Sequence, residues 1–409
     1  MASRGFPSRE DLVDFTQAVA GHAGALCDTD GFFFIKPCTQ PEIDFYETAR
    51  AHHPEFTDLM PLYVGSLMLN QASDVASEIT HELPAILDPS NLQAQKVLAE
   101  LQQPLGASNP DIQASASASM TSASNDGESW TPRGGQCILT DRGVVLENVT
   151  YGYQKPNVLD VKLGQRLWAD DAPRQKRVRM DEVRATTTHD KMGFRISGMR
   201  VFQGSAGASE PEGSDYKIYS KDFGRYDVND DNVVDAFRKF IFNKAAGIDE
   251  DLGRAVANVF KQDLERVRRV MEKERTRIYS SSLLFVFEGD GAALRQAIAA
   301  NEEASAGTSS SSSRREDRRK EDGKPGDRSA SRTDSGIVIA YDDLEIDIES
   351  NIALDDDDDE EEEPTPPAIC GLRLIDFAHA QFCPEEDRPD ENVLVGVRNL
   401  IRIFDELSK

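Results

Sequence analysis

The sequence predicts an α+β protein of two lobes that carries two disordered inserts. Strand-like segments and one helix come first and a mixed set of strands and helices follows, the order expected of a strand-rich lobe joined to a mixed one. Two long stretches have a composition that cannot build a core. The last apolar stretch, about Ala368 to Leu407, is too short to fold alone and must pack on what precedes it.

In the first part, Gln17 to His22 and Phe32 to Lys36 read as strands on either side of Asp28-Thr29-Asp30-Gly31, whose glycine suits a positive-φ hairpin turn. Pro41 opens a helix to Arg50, with Glu42, Phe45, Tyr46 and Ala49 at helical spacing. Gly143 to Val149 and Gly198 to Gln203 read as further strands. Leu252, Val256, Val259, Phe260, Leu264, Val267 and Met271 predict one long amphipathic helix. Ser282 to Phe287 and Gly371 to Ile375 are strand-like again. The expected lobes are 1–154 and 155–409, each with an insert. The first, about 93–133, is rich in Ser, Ala, Gln, Asn and Pro, and the second, about 301–367, holds Ser309 to Ser313 and the acidic run Asp355 to Glu363.

Composition narrows the function. With 46 Lys plus Arg against 73 Asp plus Glu in 409 residues, the net charge is −27, which excludes a general nucleic-acid backbone binder. Hydrophobic residues at 39% and aromatics at 7%, with Ser, Asp and Glu gathered in runs, leave part of the chain unfolded. Five cysteines without a Cys-x-x-Cys pair, and a polar N-terminus, predict an intracellular chain with no disulfide framework, structural zinc or membrane span.

Two clusters carry chemistry. In Pro156 to Gly164, PNVLDVKLG, Asp160 and Lys162 stand two apart, so an extended segment turns both to one face and Leu159, Val161 and Leu163 to the other. The competing reading is an exposed ion pair on an edge strand. In LRLIDFAHA, Leu372 to Ala380, Asp376 ends an apolar strand, where a carboxylate can present hard oxygen to Mg²⁺, and His379 follows. The competing readings are a helix N-cap for Asp376 and a core histidine for His379. Arg166, Arg174, Lys176, Arg177, Arg179, Arg184, Lys191, Arg195 and Arg200 form a basic patch on an acidic chain, which points to a multiply anionic ligand rather than a solvated face. Asp222-Phe223-Gly224 spells the metal-binding tripeptide of protein kinases, but no His-Arg-Asp loop or Gly-x-Gly-x-x-Gly loop accompanies it. Asp227, Asn229 and Asp231 imitate a calcium loop that lacks its glycine and its bidentate glutamate.

At Pro156, Asp160, Lys162 and Gly164 the chain resembles the inositol polyphosphate kinase family, whose signature is Pro-x-x-x-Asp-x-Lys-x-Gly. Ala20-Gly21-His22, Lys36, Glu42 with Phe45 and Tyr46, Leu146 to Thr150, Gly198 to Val201, Ser281 to Leu284, Ile375 to His379 and the closing Gly396 to Ile403 match in the family's order. Asp-Val-Lys and the preceding Tyr-Gly-Tyr look like the multikinase branch, especially its fungal members. The short segment Trp168 to Thr188 implies a permissive pocket.

The resemblance implies a two-lobed, protein-kinase-like and ATP-grasp-like fold that uses ATP and Mg²⁺ on soluble inositol polyphosphates. It implies that Lys36 touches the ATP phosphates and pairs with Glu42, and that Glu147 and Val149 offer backbone groups to adenine. Asp160 is implied to meet the ribose or the attacking hydroxyl, and Lys162 to bridge the transferred phosphoryl group and the acceptor. Asp376 is the implied metal ligand, and Arg166, Arg174, Lys176, Arg177, Arg179 and His379 the inositol phosphate ligands. The alternatives are a hexakisphosphate kinase making pyrophosphates, or a nuclear scaffold or transcriptional cofactor whose acidic insert recruits basic or transcriptional proteins with little catalysis. Nucleus and cytoplasm are the expected locations.

Overall fold

The computed structural model describes residues 12–20, 24–69, 140–204, 215–301 and 368–409; the insert at 93–133 and all of the second insert beyond Asn301 lie outside them. The described residues up to Leu67 and from Thr140 onward belong to one compact unit. Its first sheet has the order β1-β2-β3-β5-β4, from strands β1 (Leu12–Asp14), β2 (Leu26–Asp28), β3 (Phe33–Pro37), β4 (Tyr63–Met68) and β5 (Arg142–Glu147). The predicted hairpin is present, with Gly31 at φ 73° and its N–H donating to the Asp28 carbonyl at 3.0 Å, and the Asp28 carboxylate accepting from Phe33 N–H at 2.7 Å. Its first strand, however, is β2 and not Gln17 to Ala20; Gly21 and His22 lie outside the described residues. Residues 15–18 are extended coil, because Asp28 itself closes the turn and leaves room for only three paired residues before it.

Helix α1 (Gln40–His52) follows, with Pro41 in its first turn, then α2 (Pro54–Thr57). Glu42, Ile43, Phe45, Tyr46 and Ala49 form its buried face. The aromatic residues of that face bind the C-terminal segment: Phe45 stacks on Phe377 and on Phe382 at 4.7 Å each, and Tyr46 meets Phe377 edge-on at 5.3 Å. Such pairs add about 0.5–1.5 kcal/mol each beyond area burial.

The second sheet has the order β11-β10-β6-β7-β8, from β6 (Pro156–Leu163), β7 (Phe194–Phe202), β8 (Tyr216–Tyr219), β10 (Ser282–Glu288) and β11 (Cys370–Ile375). β6 is central and Asp160 is 5% exposed, so the edge-strand reading of Asp160 and Lys162 fails. Helix α3 (Arg174–Ala185) and the single turn α4 (His189–Met192) connect β6 to β7. After β8 come a π-turn (Phe223–Asp227), α5 (Val233–Ile241), and α6 (Glu250–Lys273), the long helix that the apolar spacing predicts, capped by the Asp249 carboxylate on Leu252 N–H at 3.0 Å. β9 (Thr276–Ile278) pairs with β12 (Ala380–Phe382), α7 spans residues 291–301, and α8 (Glu391–Leu407) follows β12. α8 packs against α6, and Phe404 stacks on Phe285 at 5.2 Å and meets Phe260 at 5.6 Å. The C-terminal stretch thus supplies both a strand and a core helix. No helix among the described residues is long and apolar enough to cross a membrane.

The kinase-like tripeptide has a packing role. Asp222 is exposed on the surface, whereas Gly224 lies flat on β7: a Cβ there would stand 1.9 Å from the Ile196 carbonyl oxygen. Gly224→Ala is expected to lower stability by about 1–3 kcal/mol, because backbone must move to relieve the overlap. Asp222→Asn should leave it unchanged, and thermal unfolding of both variants checks the ranking.

Candidate functional site

Between the two sheets lies a cavity of about 130 Å³. Phe34, Lys36, Leu146 and Glu147 line it from the first sheet, Val158, Asp160 and Leu284 from the second, and Asn148, Val149 and Thr150 from the connection between them. Gln17 to Ala20 line it as well, and Val19 lies directly on β7, where a Cβ on Gly198 would fall 2.0 Å from its carbonyl oxygen. The walls are mainly apolar, and four charged residues stand among them: Lys36, Glu147, Asp160 and Asp376.

Lys36 Nζ donates to Glu42 Oε1 and to Asp376 Oδ1, both at 2.6 Å. Glu42 is 1% exposed and its Oε1 also accepts from Phe377 N–H at 3.1 Å, so one carboxylate from α1 fixes both the β3 lysine and the turn after β11. Burial opposes the Lys36 charge, but Asp376 and then Glu42 outweigh it and hold the ammonium above its usual pKa. Asp376 itself has φ 68°, a left-handed conformation that non-glycine residues adopt at a cost of about 1–3 kcal/mol. The Ser281 hydroxyl donates to the Asp376 carbonyl at 2.6 Å and pins that turn.

Ser280, at φ 61°, is the other left-handed non-glycine residue among those described. Its carbonyl accepts from Lys162 Nζ at 2.6 Å and its hydroxyl donates to the Leu167 carbonyl at 2.9 Å. Asn392 of α8 secures the neighbouring turn, accepting from the N–H groups of Gln165 at 2.9 Å and Arg166 at 2.7 Å. Gly164 is needed in that turn for its φ of 102° and because a Cβ would lie 2.8 Å from Asn392 Nδ2. Asp160 is buried and its Oδ1 has no hydrogen-bond partner. Burial raises its carboxyl to about 6, with Lys162 pulling the other way and Asp376 adding to the rise.

Helix α3 has no buried residue. Polar clamps hold it: Trp168 Nε1–H donates to Asp181 at 2.8 Å, and Arg177 Nε–H donates to the Ala172 carbonyl at 2.6 Å. Arg177 also stacks over the Trp168 ring at 5.0 Å, and Arg166 lies over the same ring at 3.9 Å and over Tyr279 at 4.9 Å. Arg166 and Arg177 are therefore engaged within the chain. Lys176 Nζ lies 3.2 Å from Nε2 of the exposed His379, which leaves the core reading of that histidine without support. Arg179, one turn on, shares the Lys176 side of the helix, while Arg174 lies about 200° round the axis from Lys176. Burial, then the nearby Lys176 ammonium, lower the His379 pKa.

A family model described as inositol polyphosphate kinase matches residues 143–405, more than half of the chain. The chain belongs to the inositol polyphosphate kinase family. It is 28% identical to the inositol polyphosphate multikinase of Saccharomyces cerevisiae over 290 residues, 66% of this chain and 71% of the yeast one. It is 26% identical to the Schizosaccharomyces pombe inositol polyphosphate multikinase over 274 residues, 67% and 78% of the two chains. Mouse inositol hexakisphosphate kinase 1 matches at 26% identity over 271 residues, 64% of this chain and 51% of its own. The fold is also that of the S. cerevisiae inositol phosphate multikinase crystallised with ADP and Mn²⁺, at TM-score 0.51 and 23% identity, covering 93% of this chain and all of the other. The chain is thus an α+β kinase of this family.

Of the residues singled out in the sequence, Lys36, Asp160, Val149 and Asp376 line one cavity, Glu42 braces it, and Lys162, Lys176 and His379 stand near. Glu147 lines the cavity too, but its N–H donates to the Leu62 carbonyl at 3.0 Å and its carboxylate pairs with Arg373 at 3.2 Å. Sequence reasoning overlooked Ser280, and read Gln17 to Ala20 as part of a strand where they are coil lining the cavity. A doublet of serines before a strand has no periodic signal, and positive φ at a serine is set by what surrounds it. A metal fits beside Asp376, since the orphaned Asp160 Oδ1 adds a second hard oxygen nearby. Among the described residues no three His, Cys, Asp or Glu gather to hold an ion alone, so phosphate oxygens and waters would complete its shell.

Asp160 makes stability fall as pH rises. Its folded pKa of about 6 exceeds the ordinary carboxyl value, so its stabilising contribution is full below the unfolded pKa and is lost as pH rises through 6. In the ligand-free protein Asp160→Asn is expected to gain stability over wild type at pH 8, by a few kcal/mol at roughly 1.4 per pKa unit, and little or none at pH 4. Thermal midpoints of both proteins across that range test it.

Proposed function

We propose that the chain is a multikinase that transfers the γ-phosphoryl group of ATP to hydroxyls of inositol tris- and tetrakisphosphates, with Mg²⁺ as the working metal. The observation that carries this reading is the contact of Lys176, on an exposed basic helix, with His379, three residues after Asp376. A lysine and a neutral histidine from two separate segments, both able to donate to phosphate, meet near the cavity that holds Lys36, Asp160 and Asp376. That arrangement suits an acceptor carrying several phosphates, and the single short helix leaves room for more than one such acceptor.

Phosphoryl transfer depends on positioning and on charge held against the transferred group. Lys36, kept charged by Glu42 and Asp376, contacts the ATP phosphates. Asp376, together with phosphate oxygens, would hold the divalent metal, which would supply positive charge against the leaving phosphates. Val149 and the backbone of Glu147 face adenine, and Asp160 meets the ribose or the attacking hydroxyl. Lys162 gives one of its three N–H donors to Ser280 and directs the others to the acceptor and the moving phosphoryl group. Lys176, Arg179 and His379 take acceptor phosphates, while Arg166 and Arg177 shape the helix that presents them and Arg174 stands on its opposite side. We place the protein in nucleus and cytoplasm, with a second role for the acidic run Asp355 to Glu363 in attracting basic or transcriptional protein partners.

Incubation with ATP, Mg²⁺ and inositol tris-, tetrakis- and hexakisphosphate tests the reading. Consumption of the tris- and tetrakisphosphates is expected; consumption of the hexakisphosphate alone would make the chain a pyrophosphate-forming kinase instead. Asp376→Asn should lower kcat by roughly 10²-fold without loss of fold. Replacing Lys176 and Arg179 together by Ala should raise KM for inositol trisphosphate by about 10-fold or more and leave KM for ATP unchanged, as lost charge-assisted hydrogen bonds require. Equal effects on the two substrates would return these side chains to a structural role.

A further inference from the structure

β7 carries charged groups that none of the roles above uses. Arg195 pairs in register with Lys162 of β6, and Ser197 falls at the bulge where the pairing shifts between Asp160 and Val161. Phe194 and Ile196, the neighbours of Arg195 along the strand, belong to the core, so strand alternation turns Arg195 to the face that Asp160 and Lys162 share. Arg195 is 5% exposed, yet its Nε and Nη1 have no hydrogen-bond partner. Arg225 Nε and Ser197 Oγ are likewise buried without a partner. Arg225 belongs to the π-turn whose Gly224 rests on the Ile196 carbonyl, which brings this second guanidinium against the same stretch of β7.

Three guanidinium nitrogens, Nε and Nη1 of Arg195 and Nε of the half-buried Arg225, are thus buried without an acceptor, whereas buried donors ordinarily find one. Burial, then the repulsion of Arg225, depress the Arg195 pKa to about 10, and Asp160 is the carboxylate that opposes them. What the group lacks is a multivalent anion with several acceptor oxygens, and arginine forks match phosphate in geometry and charge.

We propose that Arg195, Arg225 and Ser197 form a phosphate-binding subsite beside Lys162, on the β7 side of the site and distinct from the basic face of α3. It rests on the kinase reading only for the source of the phosphate, which belongs either to the inositol phosphate or to the nucleotide. In the first case the acceptor is gripped on two sides, by Lys176 and His379 after β11 and by the two arginines along β7. A substrate phosphate at this position would supply the missing acceptors at the moment of binding.

The test uses full-length wild type with Arg195→Met, Arg195→Lys and Arg225→Met, followed by thermal midpoint and by titration calorimetry with ADP plus Mg²⁺, inositol trisphosphate and inositol tetrakisphosphate. Without ligand, Arg195→Met should melt at or above the wild-type midpoint, because an unpaired buried charge is removed. The affinity of at least one ligand should fall tenfold or more in both Met variants, with part regained in Arg195→Lys. Loss toward inositol phosphates alone, or toward ADP alone, names the source of the phosphate. Wild-type affinity for all three ligands in Arg225→Met and in any folded Arg195 variant would overturn the subsite. A wild-type protein that binds ADP but no inositol phosphate would instead remove the substrate reading and leave the nucleotide arm to judge the subsite.

Discussion

The site depends on one ion network, in which Lys36 lies between Glu42 and Asp376 at 2.6 Å from each. Its members come from three places in the chain: a strand of the first sheet, the helix after it, and a turn more than three hundred residues further on. Glu42 is almost wholly buried, so its charge stands only because Lys36 and the Phe377 N–H meet it. Removing one partner of such a network strands the others, which is far costlier than the net worth of the pair. The same network holds Asp376, where a metal is needed, against the lysine that faces the phosphates.

Around it, the structure stores strain where geometry matters. Ser280 and Asp376, both left-handed, flank the site, and each is over-determined by a serine hydroxyl: Ser280 through Leu167, and Asp376 through Ser281. Lys162 is aimed by the Ser280 carbonyl, so the β9–β10 turn sets the positions of the bridging lysine and the metal carboxylate together. Asn392 and Gly164 secure the adjoining turn from the side of α8. The C-terminal helix, remote in sequence, is therefore part of the site's scaffold.

Helix α3 follows a different logic. It buries nothing and is tied by Trp168, Asp181 and Arg177, so its position costs little to change. Arg166 and Arg177, sandwiching Trp168, convert two residues of a basic patch into a hinge of cation–π contacts, each worth about 0.5–1 kcal/mol at exposed sites. A patch of like charges thus divides into groups that shape the helix and groups that face outward.

Much of this was legible in the residues themselves. Apolar spacing located α6, and turn chemistry located the Asp28 to Gly31 hairpin. The two-residue interval of Asp160 and Lys162 placed them on one face of a strand, because side-chain alternation is a local property of the backbone. Local pattern could not say that β6 would be central, that Gln17 to Ala20 would line the cavity as coil, or that Arg166 and Arg177 would turn onto Trp168 while Lys176 met His379. Those outcomes follow from long-range pairing and from which charge finds a partner first. The orphaned donors of Arg195 are the sharpest instance: one arginine in a basic run by sequence, and a buried, unsatisfied cation only once β7, the π-turn and Asp160 are folded around it.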